Sequence, residues 1–212
     1  MEKQPFKHII FDLGGVIVNI HLQRAFKAFA TLTGFAEDDL HNIAVSSEVV
    51  KHFEKGLLSS NAFRNSLRQI FRQDTPNKEL DAAWNQAILD IPHERLGLLD
   101  KLSKRYQLFL LSNTNPIHLK AVHEALHKAS GVKELHHFFT KTYYSFQTGH
   151  LKPEARAFKA ILYENRLMPE ETLFIDDTIA NIKAARSLHI HTLHVHTPST
   201  LFDYFAHEAP PD

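Results

Sequence analysis

Apolar residues follow two alternating patterns along the chain. Four short runs are continuously apolar and have the length of strands that are buried on both faces of a parallel sheet. These runs lie at residues 8–11, 108–111, 173–175 and 193–195. Stretches with apolar residues at helical spacing separate the later runs, for example Leu119, Val122 and Leu126. The alternation predicts an α/β fold, a doubly wound parallel-sheet core with helices on both faces.

One long interval departs from this alternation. Between about residues 19 and 92 the sequence has helical patterns and no strand pattern. Three apolar faces at helical spacing begin at Leu22, Phe63 and Leu80. We expect the aromatic residues on these faces to form a structural core. The pattern therefore predicts an inserted α-helical cap at residues 19–92, within a core made of residues 1–18 and 93–212.

The composition narrows the class of partner. The chain has 212 residues and equal numbers of basic and acidic side chains, 24 of each. A formal net charge of +0 provides no overall field for nucleic acid or an anionic membrane, so we expect a small-molecule partner and neither of those two. No stretch approaches the roughly 18 continuous apolar residues of a membrane span. The sequence does not predict an oligomeric state.

Cysteine usage bears on the compartment. The chain has no cysteine, which excludes disulfides and thiolate metal ligands and suits a reducing compartment. Residues 1–5 run directly into the first apolar run without a signal-peptide core. A cytoplasmic location is therefore expected.

The 16 histidines include a cluster formed by His189, His191, His194 and His196. His194 and His196 share one face of a short strand, but no acidic or thiol ligand accompanies them. We expect these histidines to lie at the ends and on one face of the strand rather than to form a dedicated metal site.

Polar residues follow three of the apolar runs. Asp12 follows the first, Ser112 and Asn113 follow the second, and Asp176 and Asp177 follow the third. Ligands bind outside the carboxyl ends of the strands in an open parallel sheet, so we expect these side chains to meet at one edge. Each group alone is typical of a turn or a helix cap, whereas the three together indicate a site.

The adjacent carboxylates of Asp176 and Asp177 repel each other and need a cation. An all-oxygen ligand set favours Mg²⁺, and a divalent ion in turn favours a phosphorylated substrate. Gly14 and Gly15, soon after Asp12, leave room for the backbone to approach phosphoryl oxygens. Lys152 precedes a proline that is expected to start a helix, and it is the candidate ammonium that faces the phosphate.

Four motifs together carry a family resemblance. They are Phe-Asp-Leu-Gly-Gly-Val at residues 11–16, Leu-Ser-Asn-Thr at 111–114, Lys-Pro-Glu at 152–154 and Phe-Ile-Asp-Asp at 174–177. In order and spacing they resemble motifs I to IV of the haloacid dehalogenase (HAD) superfamily, over nearly the whole chain. The helical interval resembles the small α-helical cap of that family. The second and third motifs are most similar to bacterial sugar-1-phosphate phosphatases, such as those for α-D-glucose 1-phosphate, and to the phosphatase domain of soluble epoxide hydrolase.

The resemblance implies a magnesium-dependent phosphatase that hydrolyses a small phosphorylated metabolite, with sugar phosphates favoured. It implies that Asp12 attacks phosphorus to form an aspartyl-phosphate and that Lys152 offsets the charge on the transferred group. Ser112 and Asn113 would hold the phosphoryl oxygens.

The resemblance also implies the metal ligands. Asp12, the backbone carbonyl of Gly14 and Asp177 would hold magnesium, and Asp176 would orient these ligands. Asn181 stands where many relatives have a further acid, and an amide there would support the same group.

Gly14 departs from the usual phosphatase pattern, which has a second aspartate two residues after the nucleophile. That aspartate serves as general acid and base, a contribution of roughly 10²–10⁴ in rate. The sugar-1-phosphate phosphatases also have glycine there, and the metal ligand at this position is a backbone carbonyl. We therefore expect catalysis that is slowed rather than abolished. Asp176, a water molecule and the substrate itself are the alternatives for moving the proton.

Two other functions stay open at this level. A non-catalytic or very slow phosphate-binding protein would keep the phosphate cradle and lose turnover through Gly14. A 2-haloacid dehalogenase would use Asp12 to attack carbon without a metal, but adjacent carboxylates would repel its carboxylate substrate. If the chain is a phosphatase, we expect the cap to open and close over the site, with hinges near residues 18–19 and 91–92.

Overall fold

The fold is centred on one parallel β-sheet. A computed structural model describes residues 6–46 and 48–206; residues 1–5, on which the expected location partly rested, and 207–212 lie outside the described residues. The strands are β1 (His8–Phe11), β2 (Gln107–Ser112), β3 (Lys141–Tyr144), β4 (Thr172–Asp176) and β5 (His191–His194). They are all parallel and lie in the order β3-β2-β1-β4-β5. Four of these strands correspond to the four apolar runs.

The central strands are buried on both faces. Successive side chains of a strand point to opposite faces of the sheet. In β1, Ile9 and Phe11 join one buried apolar cluster, while Ile10 joins a second cluster on the other side. Both faces need apolar residues, which explains the continuous apolar runs. The predicted doubly wound α/β core is confirmed.

β3 is a strand that the sequence pattern did not predict. Its sequence is Lys-Thr-Tyr-Tyr, and its burial changes from exposed Lys141 to buried Tyr143 and Tyr144. It lies at the edge of the sheet and pairs only with β2. Edge strands are often short and carry charged residues, so β3 lacks the continuous apolar run on which the prediction depended.

The described residues between β1 and the rest of the core form five helices. They are α1 (Leu22–Thr33), α2 (Glu37–Ser46), α3 (Glu48–Glu54), α4 (Ser60–Phe71) and α5 (Asn77–Asn85). The three apolar faces expected from sequence belong to α1, α4 and α5. The inserted helices share a separate buried cluster, in which the rings of Phe53 from α3 and Phe63 from α4 stack with centroids 4.1 Å apart.

The two chain segments that connect this interval to the core run side by side. The Asn19 amide donates to the Asp90 carbonyl (2.9 Å), and the Leu89 amide donates to the Asn19 carbonyl (2.9 Å). Ile20 and Ile88 form an antiparallel bridge, which lies between the Leu89–Asn19 bond and the bond from the His21 amide to the Ala87 carbonyl (2.8 Å). The cap boundaries and hinges expected from sequence lie next to this paired ribbon, and the division into cap and core stays a prediction.

In the described residues after β1 and the inserted helices, there are six further α-helices besides two short 3-10 helices (Leu135–Phe138 and Pro169–Glu171). The α-helices are α6 (His93–Ser103), α7 (Pro116–Ser130), α8 (Ser145–Thr148), α9 (Ala155–Asn165), α10 (Ile179–Arg186) and α11 (Pro198–Phe205). The first residues of α7 also meet the inserted helices, because Ile117 joins their apolar cluster and His118 stacks on Trp84 at 4.7 Å. Within the described residues, no helix has the length and apolarity that crossing a membrane requires.

Candidate active site

The candidate site lies at the carboxyl ends of three neighbouring strands. Asp12 directly follows β1, Ser112 is the last residue of β2, and Asp176 is the last residue of β4. These strands are adjacent in the sheet, so their ends meet at one edge as expected. Lys152 reaches the same place from the loop between α8 and α9.

Lys152 is the centre of a buried charge network. Its Nζ lies 2.7 Å from Asp12 Oδ1 and 2.8 Å from Asp176 Oδ2, and its side chain is almost completely buried. Burial alone would lower the pKa of Lys152, but the charges of Asp12 and Asp176 and the hydrogen bonds to both carboxylates raise it overall. Lys152 therefore remains an ammonium in the folded protein.

Asp12 is held in a fixed orientation at the start of the loop after β1. Its backbone amide donates to the Ile175 carbonyl (2.8 Å), which continues the pairing with β4. The Leu13 amide donates to Asp12 Oδ1 (2.6 Å). Burial raises the pKa of the Asp12 carboxyl, and the charge of Lys152 acts in the opposite direction. The backbone thus orients the side chain, and the Lys152 ammonium favours its ionised form.

Asp176 has its hydrogen-bonding capacity filled by the protein. Its carboxylate accepts from Lys152, from the Thr178 amide (2.7 Å) and from Asn181 Nδ2 (3.1 and 3.0 Å to the two oxygens). It is completely buried. Asn181 thus lies behind Asp176, in the supporting position that the sequence assigned to it.

Asp177 is the less enclosed member of the carboxylate pair. Thr178 Oγ1 donates to Asp177 Oδ1 (3.2 Å), and Asp177 Oδ2 lies against Gly15. Gly15 has φ +73°, and a Cβ built on it would lie 2.1 Å from Asp177 Oδ2. Glycine is therefore required here both for the backbone conformation and for the space that Asp177 occupies.

Three carboxylates could share one cation at this edge. One oxygen from each of Asp12, Asp176 and Asp177 lies within 4.8 Å of the others, the sole such group of potential metal ligands in residues 6–46 and 48–206. When ionised, three carboxylates and the Lys152 ammonium leave two negative charges unbalanced. Burial first, and then the charge of Asp176, raises the pKa of Asp177, a shift that a bound divalent cation would oppose. The oxygen donors and the charge both fit Mg²⁺.

Gly14 differs from Gly15 in its backbone, which is not in the left-handed region. The backbone conformation at position 14 therefore does not require glycine. A Cβ built on Gly14 would lie 3.1 Å from Ile20 Cδ1, the end of a flexible side chain. Ile20 belongs to the ribbon that connects the inserted helices to the core. The place where the usual second aspartate would extend is thus covered by an apolar side chain.

The two residues expected to hold phosphoryl oxygens have different surroundings. Ser112 is buried and lines a cavity beside the site. Asn113 lines the same cavity, but its Nδ2 donates to the Lys152 carbonyl and its Oδ1 accepts from the Lys152 amide, both at 2.8 Å. Asn113 therefore fixes the backbone of Lys152, and one hydrogen of its amide remains for a ligand. The phosphate-binding role of both residues stays a prediction.

Ser145 is a supporting residue that sequence reasoning missed. Its hydroxyl accepts from the Thr114 amide (3.0 Å) and donates to the Thr114 carbonyl (3.1 Å), which ties the loop after β2 to the end of β3. It went unnoticed because β3 itself was not predicted. A serine that follows a sheet strand is the signal that would have found it.

The expectation that Pro153 starts a helix was wrong. Helix α9 begins at Ala155 with Glu154 before it, and the Lys152–Pro153 peptide bond is cis. Lys152 is therefore positioned by Asn113 and by the two carboxylates rather than by a helix start.

The histidine cluster bonds to the backbone. Nε2 of His191 lies 2.9 Å from the Glu170 carbonyl, and Nε2 of His194 lies 2.9 Å from the Asp177 carbonyl. Both contacts require the Nε2–H tautomer, because a carbonyl only accepts. His194 thus supports the backbone of a candidate metal ligand from the next strand.

Comparisons with known proteins bear on the same residues. The model of the haloacid dehalogenase-like hydrolases matches residues 6–189. A curated relative, D-ribitol-5-phosphate phosphatase from Bacteroides thetaiotaomicron, is 33% identical over 191 residues, which are 88% of this chain and 90% of the relative.

Two solved structures have the same fold as this chain. One is a HAD family enzyme from Bacteroides thetaiotaomicron in complex with magnesium and inorganic phosphate. It has a TM-score of 0.82 and 34% identity over 89% of this chain and 93% of that one. The other, a predicted HAD-like family hydrolase from Porphyromonas gingivalis, has a TM-score of 0.86 and 28% identity over 97% and 100% of the two chains.

Proposed function

The chain belongs to the haloacid dehalogenase-like hydrolases, and from this premise we propose that it is a magnesium-dependent phosphatase acting on a small phosphorylated polyol or sugar. The substrate class is supported by the 33% identity to a D-ribitol-5-phosphate phosphatase over most of both chains. The resemblance to sugar-1-phosphate phosphatases in the motifs points the same way.

The observation that carries the proposal is the contact of Lys152 with both Asp12 and Asp176. A nucleophilic carboxylate beside a fixed ammonium, at an edge where further carboxylates can bind a cation, is the arrangement that phosphoryl transfer requires. Such chemistry depends mainly on positioning and on electrostatic stabilisation of the transferred group.

Asp12, Asp177 and the backbone carbonyl of Gly14 would hold magnesium, with Asp176 orienting them. Asp177 suits a ligand better than Asp176, because the protein already saturates the Asp176 carboxylate. When bound, magnesium supplies positive charge that offsets the charge of the phosphoryl group.

Asp12 acts as the nucleophile. A carboxylate oxygen bonds to phosphorus while the bond from phosphorus to the leaving oxygen breaks, and the leaving oxygen takes up a proton. Water then attacks the phosphorus of the aspartyl-phosphate, which releases inorganic phosphate and frees Asp12. Lys152 stabilises the negative charge through both steps, and Ser112 holds a phosphoryl oxygen.

The chain has Gly14 instead of an aspartate that could donate a proton to the leaving oxygen. Asp176 is a poor carrier, because it is completely buried and accepts hydrogen bonds from three groups of the protein. A water molecule or the substrate itself is therefore the favoured route.

A non-catalytic phosphate-binding protein is the alternative that Gly14 favours. The experiment that separates the two measures phosphate release, with Mg²⁺, from a panel that includes ribitol 5-phosphate and glucose 1-phosphate. We expect turnover that disappears in Asp12→Asn and in excess chelator, and a fluoride mimic of the phosphoryl group trapped at Asp12. Phosphate binding without turnover on any substrate would establish the alternative, and halide release from a 2-haloacid in chelator would restore the dehalogenase reading.

A further inference from the structure

A cavity of about 340 Å³ lies between the inserted helices and the candidate active site. Gly14, Ser112 and Asn113 line it from the core, and Phe26 and Trp84 are among the residues that line it from the inserted helices. Its size is that of a small-molecule pocket, and its walls are mainly apolar. Of the described residues that line it, none is a lysine or an arginine.

Glu54 is an unpaired acid in this cavity. It is the last residue of α3, and its carboxyl forms no hydrogen bond or ion pair with any part of the chain that the structure describes. Burial raises its pKa to about 7. A carboxylate at a helix C-terminus also faces the negative end of the helix dipole. The position therefore costs the folded protein stability, although the side chain is only half-buried and keeps part of its surface exposed.

The other polar side chains around the cavity differ in their hydrogen bonding, and Trp84 Nε1 is a buried donor without a hydrogen-bond partner in the part of the chain that the structure describes. His118 Nε2 donates to the Trp84 carbonyl (3.2 Å), and His118 Nδ1 accepts from Asn115 Nδ2 (3.2 Å). Burial lowers the pKa of His118 to about 4 and thereby keeps its ring neutral. Gln23 and His41 are largely exposed. Glu54 is thus the acid that lines the cavity, and its hydrogen-bonding capacity is free for a ligand.

We infer that Glu54 binds the leaving group of the substrate, pairs with its hydroxyl groups and excludes esters that carry a second anionic group. This inference rests on the proposed phosphatase function. A hydroxyl complements a carboxyl in either protonation state, because it both donates and accepts. A second phosphate or carboxylate would meet a like charge and no cationic side chain. The apolar walls pack against the carbon skeleton of such a group.

Two variants and a control test the inference. Glu54→Met removes the hydrogen bonds, and Glu54→Gln removes the charge but keeps hydrogen-bonding capacity. Glu48→Gln is the matched control, since Glu48 is an exposed acid at the other end of the same helix. The kcat/KM values are measured with Mg²⁺ on ribitol 5-phosphate, on para-nitrophenyl phosphate and on fructose 1,6-bisphosphate.

We expect Glu54→Met to lose about 10-fold or more in kcat/KM on ribitol 5-phosphate, the value of a hydrogen bond to a charged group. Its loss on para-nitrophenyl phosphate, which has no hydroxyl on the leaving group, should be several-fold smaller. Glu54→Gln should shift the preference toward the bisphosphate, and Glu48→Gln should match the parent protein. Equal losses on the ribitol and nitrophenyl esters would overturn the inference, because Glu54 would then act on a step common to both.

Binding measurements separate this inference from the proposed function. If the parent protein releases no phosphate from any ester, the proposed turnover fails, and calorimetry still tests Glu54. Glu54→Met should weaken binding of ribitol 5-phosphate at least about 10-fold while binding inorganic phosphate like the parent. Equal affinities of parent and variant for ribitol 5-phosphate would refute the inference.

Discussion

Lys55 Nζ lies 2.6 Å from the Glu154 carboxylate, an ion pair that joins the end of helix α3 to the loop that carries Lys152. Gly56, the next residue, packs so closely on the core that a Cβ would lie 2.0 Å from the Phe146 carbonyl oxygen. Lys55 directly follows the cavity acid Glu54, and Glu154 lies two residues after the candidate catalytic lysine, Lys152. If the predicted cap closes over the site, this ion pair would help to hold it in the closed position.

Breaking this ion pair should weaken closure of the cap modestly. Lys55→Met should lower kcat/KM by about 1.5- to 5-fold on every substrate, the range of a partly exposed ion pair, with a smaller effect at high salt. The matched control is Lys51→Met, because Lys51 pairs only with Glu48 on its own helix among the described residues. Steady-state kinetics at two salt concentrations measure the effect. Equal kinetics for the two variants, or one cap orientation in crystals with and without a phosphate mimic, would count against a moving cap.

Gly15 should be essential for the position of Asp177. In Gly15→Ala the new Cβ would collide with the Asp177 carboxylate, in addition to the cost of a left-handed alanine of about 1 kcal/mol. Gly131→Ala separates the two effects, because Gly131 has a similar φ of +75° and nothing within 4 Å of a Cβ. We expect both variants to lose stability in thermal unfolding, but only Gly15→Ala to lose magnesium affinity in calorimetry. Unchanged magnesium affinity in Gly15→Ala would remove Asp177 from the metal site.

The two adjacent aspartates should respond differently to loss of charge. Asp177→Asn should weaken magnesium binding and activity with little change in thermal stability, since few protein groups bond to its carboxylate. Asp176→Asn should lower the free energy of unfolding by about 1–3 kcal/mol. The substitution removes a buried carboxylate that accepts from Lys152, and it places a second amide group against the amide of Asn181. Calorimetric titration and unfolding of both variants decide the matter. The reverse pattern would make Asp176 the metal ligand.

The sequence predicted which side chains meet at the edge of the sheet, but it did not predict the cavity beside them. Asp12 follows a buried strand, Ser112 and Asp176 end two others, and the topology of a parallel sheet brings the ends of such strands together. Glu54 could not be identified in this way. It lies on the same short helix as exposed Glu48, and helical spacing alone does not say whether a polar residue faces solvent or an internal cavity.

Glu54 should make stability depend on pH. Its pKa rises from 4.5 to about 7 on folding, so its neutral form favours the native state. The corresponding stability is fully present below pH of about 4.5 and is lost as the pH rises through about 7, by at most about 3 kcal/mol. Glu54→Gln should therefore be more stable than the parent at pH 8 and nearly equal at pH 4.5. The Glu48→Gln control should show no such difference, and a parent that is as stable as Glu54→Gln at pH 8 would mean that Glu54 has a partner in solution.

Gly14→Asp tests how the site moves its proton. The backbone conformation at Gly14 is one that residues with a side chain also adopt. The new Cβ would meet only the flexible end of Ile20 at 3.1 Å, so a small shift of the Ile20 side chain accommodates it. If protonation of the leaving oxygen limits the reaction, the parent protein should favour aryl and anomeric phosphates over simple alkyl phosphates, whose leaving oxygens need more help. The installed carboxyl should then raise kcat most on alkyl phosphates and least on aryl ones.

The comparison between leaving groups makes the Gly14→Asp result interpretable. Magnesium affinity is measured first, because the carbonyl of residue 14 is a proposed ligand and a misplaced loop would depress all rates together. If the new aspartate crowds Ile20 and weakens magnesium binding, the double variant Gly14→Asp with Ile20→Ala should restore it, because the smaller residue opens the space beside the new side chain. With magnesium binding intact, a uniform loss on both classes of ester would show that the proton travels through water or the substrate. Gly14 would then be part of how this active site works, with the apolar Ile20 keeping the space above it closed.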